Sequence, residues 1–248
     1  MDPLFDFSGR VVLVTGGSRG LGYQMVRAFA ERGADVIVTS RKKASCDAVA
    51  DEVRAMGRRA LAHGCHVGHW QEVEELVEVA YAEFGKIDVL VNNAGMSPVT
   101  PTPADVTEEL FDKIIGVNFK GPFRLAALVG QRMAAQGEGC IINVSSIGAL
   151  RPTPLAIPYC GAKAALNAMT EAFAEEFGRA GVRVNTISAG PFLTDISDAW
   201  PEEQRRSAPS ALGRPGRPEE VVTTALYLAS PHSSFVTACL ARADGGMH

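Results

Sequence analysis

A tyrosine and a lysine stand four positions apart, Tyr159 and Lys163, in a stretch with helical periodicity. Residues at i and i+4 lie on one face of a helix, so the phenol and the amine are expected to be neighbours. A free tyrosine has a pKa of about 10 and exchanges protons poorly at neutral pH, but a nearby cation favours the phenolate and lowers that pKa. The pair therefore indicates general acid–base chemistry, although such pairs also occur on ordinary helical surfaces.

Hydroxyl and amide side chains follow two apolar runs. Ser145 and Ser146 end one run, and Asn92 ends another. Carboxyl ends of strands form the ligand-binding edge of α/β sheets, and alternation points the two serines oppositely. Asn118 lies between apolar neighbours in a helical stretch, where it is either a functional amide or a core asparagine bonded to the backbone.

A glycine-rich segment, T-G-G-S-R-G-L-G at 15–22, separates the first apolar run from a helical pattern. Glycine lets backbone N–H groups approach a pyrophosphate closely, and a helix N-terminus adds a favourable dipole. The segment therefore predicts a dinucleotide-binding loop of the Rossmann type, with a plain turn as the alternative.

The end of the second apolar run bears on which dinucleotide would bind. Enzymes that use NAD place a carboxylate there for the ribose 2′-hydroxyl, and enzymes that use NADP place an arginine near the 2′-phosphate. Ser40 and Arg41 occupy that place, whereas Asp35 lies a whole strand length away. With Arg19 within reach, the pattern favours NADP(H), with NAD(H) possible; a solvated helix start is the alternative for Arg41.

The elements that position these residues follow from alternating patterns. Short apolar runs occur at 11–14, 35–39, 59–62, 88–91, 140–144, 183–188 and 238–241, and helical patterns at 20–32, 43–56, 69–84, 107–135, 158–179 and 218–229. The alternation predicts an α/β fold: one domain, 1–248, with a doubly wound parallel sheet of about seven strands and helices on both faces. The irregular segment 191–218 interrupts it and is expected to form a substrate lid.

Composition excludes several classes of protein. The 248 residues are 46% hydrophobic and 21% charged with a net charge of −4, which is typical of a globular protein and argues against nucleic-acid binding. The sequence shows no secretory pattern and no membrane span, and its five scattered cysteines lack a C-x-x-C pair, so free thiols in the cytoplasm are expected. His63, Cys65, His66 and His69 lack the spacing of zinc ligands, and no metal is expected.

Taken in order and spacing, these motifs resemble the short-chain dehydrogenase/reductase family over nearly the whole chain. The resemblance rests on the segment 15–22, Asn92 to Gly95, Asn118, Ser146, Tyr159, Lys163, Gly190, Thr194 and Asp244-Gly245-Gly246. It implies an NADP(H)-dependent oxidoreductase that transfers a hydride between nicotinamide and a ketone or secondary alcohol.

The resemblance also implies roles for the matching residues. Tyr159 would be the general acid or base, Lys163 would bind the nicotinamide ribose and lower the pKa of Tyr159, and Ser146 would hold the substrate oxygen. Asn118 would anchor a water chain leading to Lys163. The cofactor contacts it implies are Gly16, Ser18, Arg19, Gly20, Leu21, Gly22, Ser40, Arg41, His66, Val67, Asn92, Ala94, Gly95, Tyr159, Lys163, Gly190 and Thr194.

Three positions depart from the family pattern. Cys65-His66 replaces an aspartate near the adenine, so altered cofactor affinity is expected. Ala189 stands where proline usually precedes Gly190, which puts the placement of Thr194 in question. Ala238 stands where glycine is common, and a neutral packing change is expected.

The substrate is left open by the sequence. Met96 and Phe192 are expected to contact it beside Ser146 and Tyr159, and Ile147, Leu150, Ile196 and Trp200 to border an apolar cleft. A polyol, a sugar acid, a steroid-like ketone and a 3-oxoacyl thioester all remain candidates. A nicotinamide-binding sensor or scaffold without catalysis is the alternative to an enzyme, and a homodimer or homotetramer is expected.

Overall fold

The predicted alternation of strands and helices is present in a computed structural model, which describes residues 2–195, 197 and 202–247. The strands in this part of the chain are β1 (Val11–Thr15), β2 (Asp35–Ser40), β3 (Ala60–Gly64), β4 (Val89–Asn92), β5 (Gly139–Ser146), β6 (Val182–Ala189) and β7 (Leu240–Ala243). The helices are α1 (Gly20–Glu31), α2 (Lys43–Ala55), α3 (Trp70–Phe84), α4 (Glu108–Ile115), α5 (Gly121–Gln136), α6 (Ile157–Gly178), α7 (Glu202–Arg206) and α8 (Val222–Ala229).

All seven strands join one sheet in the order β3-β2-β1-β4-β5-β6-β7, and each neighbouring pair is parallel. The direction of winding reverses between β1 and β4, so a crevice opens outside their carboxyl ends. The fold class predicted from the sequence is confirmed. The division of the chain into a single domain stays a prediction.

Apolar side chains cover both faces of the sheet. On one face Phe29 of α1, Val49 of α2 and Leu226 of α8 pack together, and on the other Leu76 of α3 packs with Leu125 of α5. Central strands such as β1 are buried along their whole length, which explains their continuous apolar sequences.

The helical pattern predicted over 107–135 is interrupted. Between α4 and α5 the chain makes a π-helical turn, Gly116–Lys120, in which the N–H of Gly121 donates to the carbonyl of Gly116. A methyl group on Gly121 would lie 2.0 Å from the carbonyl oxygen of Val67, so α5 approaches the loop after β3 as closely as glycine allows. Tertiary contact therefore shifts the register of this helix, and π-turns of this kind are frequent at functional sites.

The last strand begins later than predicted. The run 238–241 was expected to be a strand, but β7 spans Leu240–Ala243. Ala238 has a φ of +54°, a left-handed conformation that cannot continue a strand.

The described residues of the segment 191–218 include a helix and two β-bridges. Phe192 forms a bridge with Gly216 at its base, α7 lies within it, and Ser210 pairs with Met247 near the C-terminus. Ile196 and Trp200, expected near the substrate, lie outside the described residues. Within the described ranges no helix is both long enough and apolar enough to cross a lipid bilayer.

Candidate active site

Tyr159 and Lys163 lie in the first turns of α6. Lys163 is only 3% exposed, and its Nζ donates a hydrogen bond to the carbonyl of Val144 at 2.8 Å. The same Nζ lies 5.9 Å from the centre of the Tyr159 ring. The phenol and the amine thus share one helix face beside the carboxyl end of β5, as their spacing predicts.

Burial shifts the pKa values of both groups. It lowers the pKa of Lys163 to about 8. It also raises the pKa of Tyr159 above its usual value, and a hydrogen bond between the side chains of Ser146 and Tyr159 offsets part of that rise. Burial is the larger influence on the phenol in the chain by itself. The lowering of the pKa of Tyr159 by Lys163 together with a bound nicotinamide stays a prediction.

Ser146 is the last residue of β5 and faces the phenol. Its Oγ accepts a hydrogen bond from the N–H of Gly148 at 3.0 Å. A methyl group on Gly148 would lie 3.4 Å from Ser146 Oγ and 3.6 Å from Tyr159 Cε1, so these side chains border one small space. Ser145 points the opposite way, where its hydroxyl donates to the buried carbonyl of Lys163 at 3.2 Å. Strand alternation therefore selects Ser146.

Asn118 lies in the π-helical turn and is completely buried. Its Nδ2 donates to the carbonyls of Met96 at 2.9 Å and Ile114 at 3.0 Å, and its Oδ1 accepts from the N–H of Met96 at 3.2 Å. Both amide hydrogens are therefore used by the protein. The side chain fixes the loop after β4, and only Oδ1 keeps an unused lone pair.

Gly95 is the point where this amide meets the lysine. A methyl group placed on Gly95 would lie 3.1 Å from Asn118 Oδ1 and 3.6 Å from Lys163 Nζ. The loop after β4 is thus pressed against both polar groups. The structure brings Asn118, Ser146, Tyr159 and Lys163 to the same edge of the sheet, although they come from three separate elements, the π-helical turn, β5 and α6.

Asn93 ties the loop after β4 to the glycine-rich loop. Its Nδ2 donates to the carbonyl of Thr15 at 2.8 Å, and Thr15 Oγ1 accepts from the N–H groups of Asn93 at 2.9 Å and Ala94 at 3.0 Å. Asn93 was not among the site residues predicted from the sequence, because Asn92 ends the strand and was the residue expected to be functional there. The position of Asn93 as the first residue beyond that strand could have identified it.

Asn92 itself points into the sheet. Its Nδ2 donates to Asn143 Oδ1 at 2.9 Å, and Asn143 in turn donates to Thr170 Oγ1 at 2.9 Å. The side chain is 1% exposed, and its Oδ1 is buried without a hydrogen-bond partner. Asn92 thus links β4, β5 and α6, and its part in binding a cofactor stays a prediction.

The N-terminus of α1 is built to receive an anion. The residue before the helix, Arg19, provides no capping hydrogen bond, and the first turn holds no acidic side chain. The free N–H groups and the helix dipole are therefore uncompensated. A methyl group on Gly22 would lie 2.2 Å from the carbonyl oxygen of Gly16, so the loop folds back on the helix as only glycine permits. These features fit the pyrophosphate of a dinucleotide.

Charged groups surround the carboxyl end of β2. Arg41 is exposed there, and Ser40 Oγ lies 3.1 Å from Cys46 Sγ on α2, so the serine hydroxyl contacts that helix. Arg19 is exposed as well, and its Nη1 contacts Asp195 Oδ2 at 3.1 Å. Arg41 is thus available at this end of the crevice, whereas the guanidinium of Arg19 is paired with Asp195.

His66 occupies the loop after β3 with Glu72 beneath it. Its Nδ1 accepts from the N–H of Gly68 at 3.2 Å, and its ring stacks on His69 with 4.2 Å between ring centres. Glu72 accepts a hydrogen bond from the backbone N–H of His66 at 2.7 Å. Burial lowers the pKa of His66, which favours the neutral ring. In the described part of the chain, no group of three or more His, Cys, Asp or Glu could hold a metal ion.

The residues expected beside the substrate differ in exposure. Met96 is half-buried, and its backbone is hydrogen-bonded to Asn118. Leu150 is exposed. Phe192 is only 8% exposed because its ring packs against Gly216. Substrate contact by Phe192 stays a prediction. Thr194 lies against Gly20, where a methyl group on the glycine would be 3.4 Å from its Cγ2, so Ala189 does not displace it from the cofactor loop.

The family model that matches this chain and the relatives named below are reductases or dehydrogenases. A family model described as enoyl-(acyl carrier protein) reductase matches residues 16–248. The 3-oxoacyl-[acyl-carrier-protein] reductase FabG of Thermotoga maritima is 35% identical over 241 residues, covering 96% of this chain and 98% of that protein.

Solved structures agree. A short-chain type dehydrogenase/reductase from Mycobacterium marinum is 35% identical with a TM-score of 0.92, covering 98% of this chain and 96% of that one. A 7α-hydroxysteroid dehydrogenase complexed with NADH and 7-oxo glycochenodeoxycholic acid is 29% identical with a TM-score of 0.92, covering 99% and 97% of the two chains.

Proposed function

The chain belongs to the short-chain dehydrogenase/reductase family of oxidoreductases, which bind a nicotinamide cofactor and act on alcohol or ketone groups, and from that premise we propose a specific reaction. The protein transfers a hydride between NADP(H) and a ketone or secondary alcohol, and Tyr159 serves as general acid or base. The observation that carries this proposal is that Ser146 and Tyr159 border one small space beside Gly148, with the buried amine of Lys163 5.9 Å from the centre of the tyrosine ring.

The residues of the site divide the proton chemistry among them. When bound, the nicotinamide gives or accepts the hydride. In carbonyl reduction, the Tyr159 hydroxyl gives its proton to the substrate oxygen, and the Ser146 hydroxyl donates a hydrogen bond to the same oxygen. In alcohol oxidation, Tyr159 takes the proton back. Lys163, whose pKa burial lowers to about 8, can hold or release a proton near neutral pH on the same helix face.

Asn118 has a positioning role in this scheme. Its amide hydrogens hold the carbonyls of Met96 and Ile114, so it keeps the loop of Gly95 against Lys163. Its remaining lone pair on Oδ1 faces the same space and can accept one hydrogen bond from water. The water chain that family resemblance implies would therefore begin at that oxygen.

The cofactor would lie across the crevice between β1 and β4. The N-terminus of α1 binds the pyrophosphate, Thr194 and Gly190 lie on the nicotinamide side, and His66 and Val67 border the adenine. Arg19 and Arg41 favour a 2′-phosphate, since no carboxylate occupies the end of β2. NAD(H) remains the alternative cofactor.

Replacing Arg41 tests that preference. Arg41→Asp removes a phosphate ligand and supplies a carboxylate for the ribose 2′-hydroxyl, so the ratio of kcat/KM for NADPH over NADH should fall by about tenfold or more. Arg179→Asp, an exposed arginine beyond the end of α6, is the matched control for the same change of charge. An unchanged ratio in Arg41→Asp would contradict the role of the 2′-phosphate.

A non-catalytic sensor that reuses the fold is the alternative function. The discriminating experiment follows oxidation of NADPH with a panel of ketones, comparing the parent with Tyr159→Phe. Loss of the hydroxyl should lower kcat by about 100- to 10,000-fold, because general acid–base groups contribute that much, while NADPH binding persists. Equal turnover by both proteins would refute the assignment of Tyr159, and no turnover by the parent with any carbonyl would favour the sensor.

The substrate class is narrowed by the same panel. The relative from Thermotoga maritima is named as a 3-oxoacyl-[acyl-carrier-protein] reductase. The hydroxysteroid dehydrogenase was solved in complex with 7-oxo glycochenodeoxycholic acid. The outer face of α6 exposes Glu171, Glu175 and Glu176, which disfavours docking of an acidic carrier protein. We therefore place free ketones ahead of carrier-bound substrates. A 3-oxoacyl thioester, a steroid-like ketone and a sugar acid are the three arms of the panel, and a cytoplasmic location is expected.

A further inference from the structure

An ion pair joins the glycine-rich loop to the base of the segment expected to be a lid. Arg19 Nη1 contacts Asp195 Oδ2 at 3.1 Å, across 176 positions of the sequence. Both side chains are more than half exposed, at 61% and 55%. Arg19 is therefore directed toward the lid in this arrangement, and its charge is neutralised by a residue that binds no cofactor in the scheme above.

The backbone around Asp195 is held in place. The N–H and the hydroxyl of Ser197 both donate to the carbonyl of Thr194, at 2.7 and 2.6 Å, and the N–H of Leu193 donates to the carbonyl of Gly216 at 2.8 Å. Beside the ion pair lies a polar cavity of about 280 Å³, bordered by Gly20, Gln24, Thr194, Asp195, Arg205 and Pro218. The backbone that carries Asp195 is thus fixed beside the glycine-rich loop.

We propose that Asp195 is a specificity-determining residue that lowers the preference for NADPH over NADH by competing with the 2′-phosphate for Arg19. This inference rests on the proposed function, because it presumes a nicotinamide dinucleotide in the crevice. To bind the 2′-phosphate, Arg19 exchanges a singly charged carboxylate for a dianion, and the energy of the broken ion pair is subtracted from the gain. NADH has no such phosphate, so it leaves the ion pair unchanged.

The size of the effect follows from exposure. An ion pair between exposed side chains is weak, and its removal corresponds to a change in affinity of about two- to fivefold. Repulsion between Asp195 and the pyrophosphate acts on both cofactors alike. The ratio of the two affinities therefore isolates the competition for Arg19.

The test uses Asp195→Asn, which keeps the shape and removes the charge. Dissociation constants for NADPH and NADH are measured by titration of cofactor fluorescence at two salt concentrations. We expect the affinity for NADPH to rise about two- to fivefold more than the affinity for NADH in the variant, and this difference to shrink at high salt. Glu219→Gln, which removes a carboxylate next to Pro218 that pairs with Arg217, is the matched control and should leave the ratio unchanged.

A double variant shows whether Arg19 is the mediator. In an Arg19→Met background, Asp195→Asn should give no further gain in the affinity for NADPH relative to that for NADH. Equal tightening for both cofactors, weaker binding of both, or a gain that persists without Arg19 would overturn the inference. The preference of the parent protein tests the proposed function separately: a parent that binds NADH better refutes NADP dependence, whereas an unchanged ratio in Asp195→Asn refutes only the role of Asp195.

Discussion

At the scale of single residues, the buried amine of Lys163 shows how the site trades stability for chemistry. Its pKa of about 8 lies below the usual 10.5, so the folded protein binds fewer protons than the unfolded chain between these values. Stability therefore rises with pH across that interval, and below about pH 8 the folded state bears the cost of a buried charge. The group that the reaction requires is thus a group that the fold tolerates at a cost.

Lys163→Met removes that titration and should make the pH dependence visible. The parent should gain on the order of 2 kcal/mol in free energy of unfolding relative to the variant between pH 7 and pH 9.5, while the variant loses turnover. Urea unfolding at the two pH values measures the difference. Lys113→Met, at an exposed position, is the control. Parallel changes in parent and Lys163→Met would show that the amine is not buried as described.

At the scale of elements, the backbone just before β7 differs from what the sequence predicted. Ala238 was expected to be a neutral replacement for glycine, but its φ of +54° is the sole positive value among the non-glycine residues that the structure describes. Its N–H donates to the carbonyl of Val184 at 2.8 Å, and the next N–H donates to Asn185 Oδ1 at 3.0 Å. These bonds to β6 hold the alanine in a conformation that costs about 1 to 2 kcal/mol.

Relief of that strain is directly measurable. Ala238→Gly should raise the free energy of unfolding by about 0.5 to 1 kcal/mol, because the strain removed exceeds the entropy that glycine adds to the unfolded chain. For a chain of this length, thermal unfolding should shift upward by roughly 1 to 4 °C. Ala241→Gly, within β7 itself, should instead destabilise. A decrease in Tm for Ala238→Gly would show that the position is not strained.

At the scale of the whole molecule, α6, the helix carrying Tyr159 and Lys163, packs its apolar stripe against the rest of the chain. Leu166, Met169 and Phe177 are buried within the chain, and Phe173 stacks between Phe123 and Phe177. Periodicity left open whether these side chains serve the sheet or a partner, and the structure assigns most of them to the interior. The buried stripe itself is therefore not available to a partner chain.

We expect a homodimer or homotetramer that uses the edge of the sheet at β7. Phe235, which precedes that edge strand, is fully exposed, and Tyr227 on α8 is 48% exposed. Unpaired sheet edges with exposed aromatic side chains favour association. Light scattering should give a mass two or four times that of the chain, and Phe235→Ser should shift it toward smaller species. Leu4→Ser is the control. A monomeric parent, or an unchanged mass for Phe235→Ser, would contradict this assignment.

The sequence alone determined the order of elements and predicted a chemistry for the candidate site. Apolar runs alternating with helical periods predicted the parallel sheet, since each pattern reports which faces of a segment must be buried. The glycine-rich loop and the spacing of Tyr159 and Lys163 predicted a dinucleotide crevice and an acid–base pair because both depend on local geometry. Alternation along β5 predicted that Ser145 and Ser146 point oppositely, and the spacing of the family motifs selected Ser146.

Only the tertiary structure decided how these groups are partnered. Asn93 rather than Asn92 holds the glycine-rich loop, Lys163 is bonded to Val144, and Arg19 faces Asp195. Each of these contacts joins segments that are distant in the sequence. The pKa values follow the same rule, because burial and hydrogen-bond partners are properties of the packed molecule. Side-chain type and spacing carry local geometry, whereas competition among distant partners is settled only when the whole chain has folded.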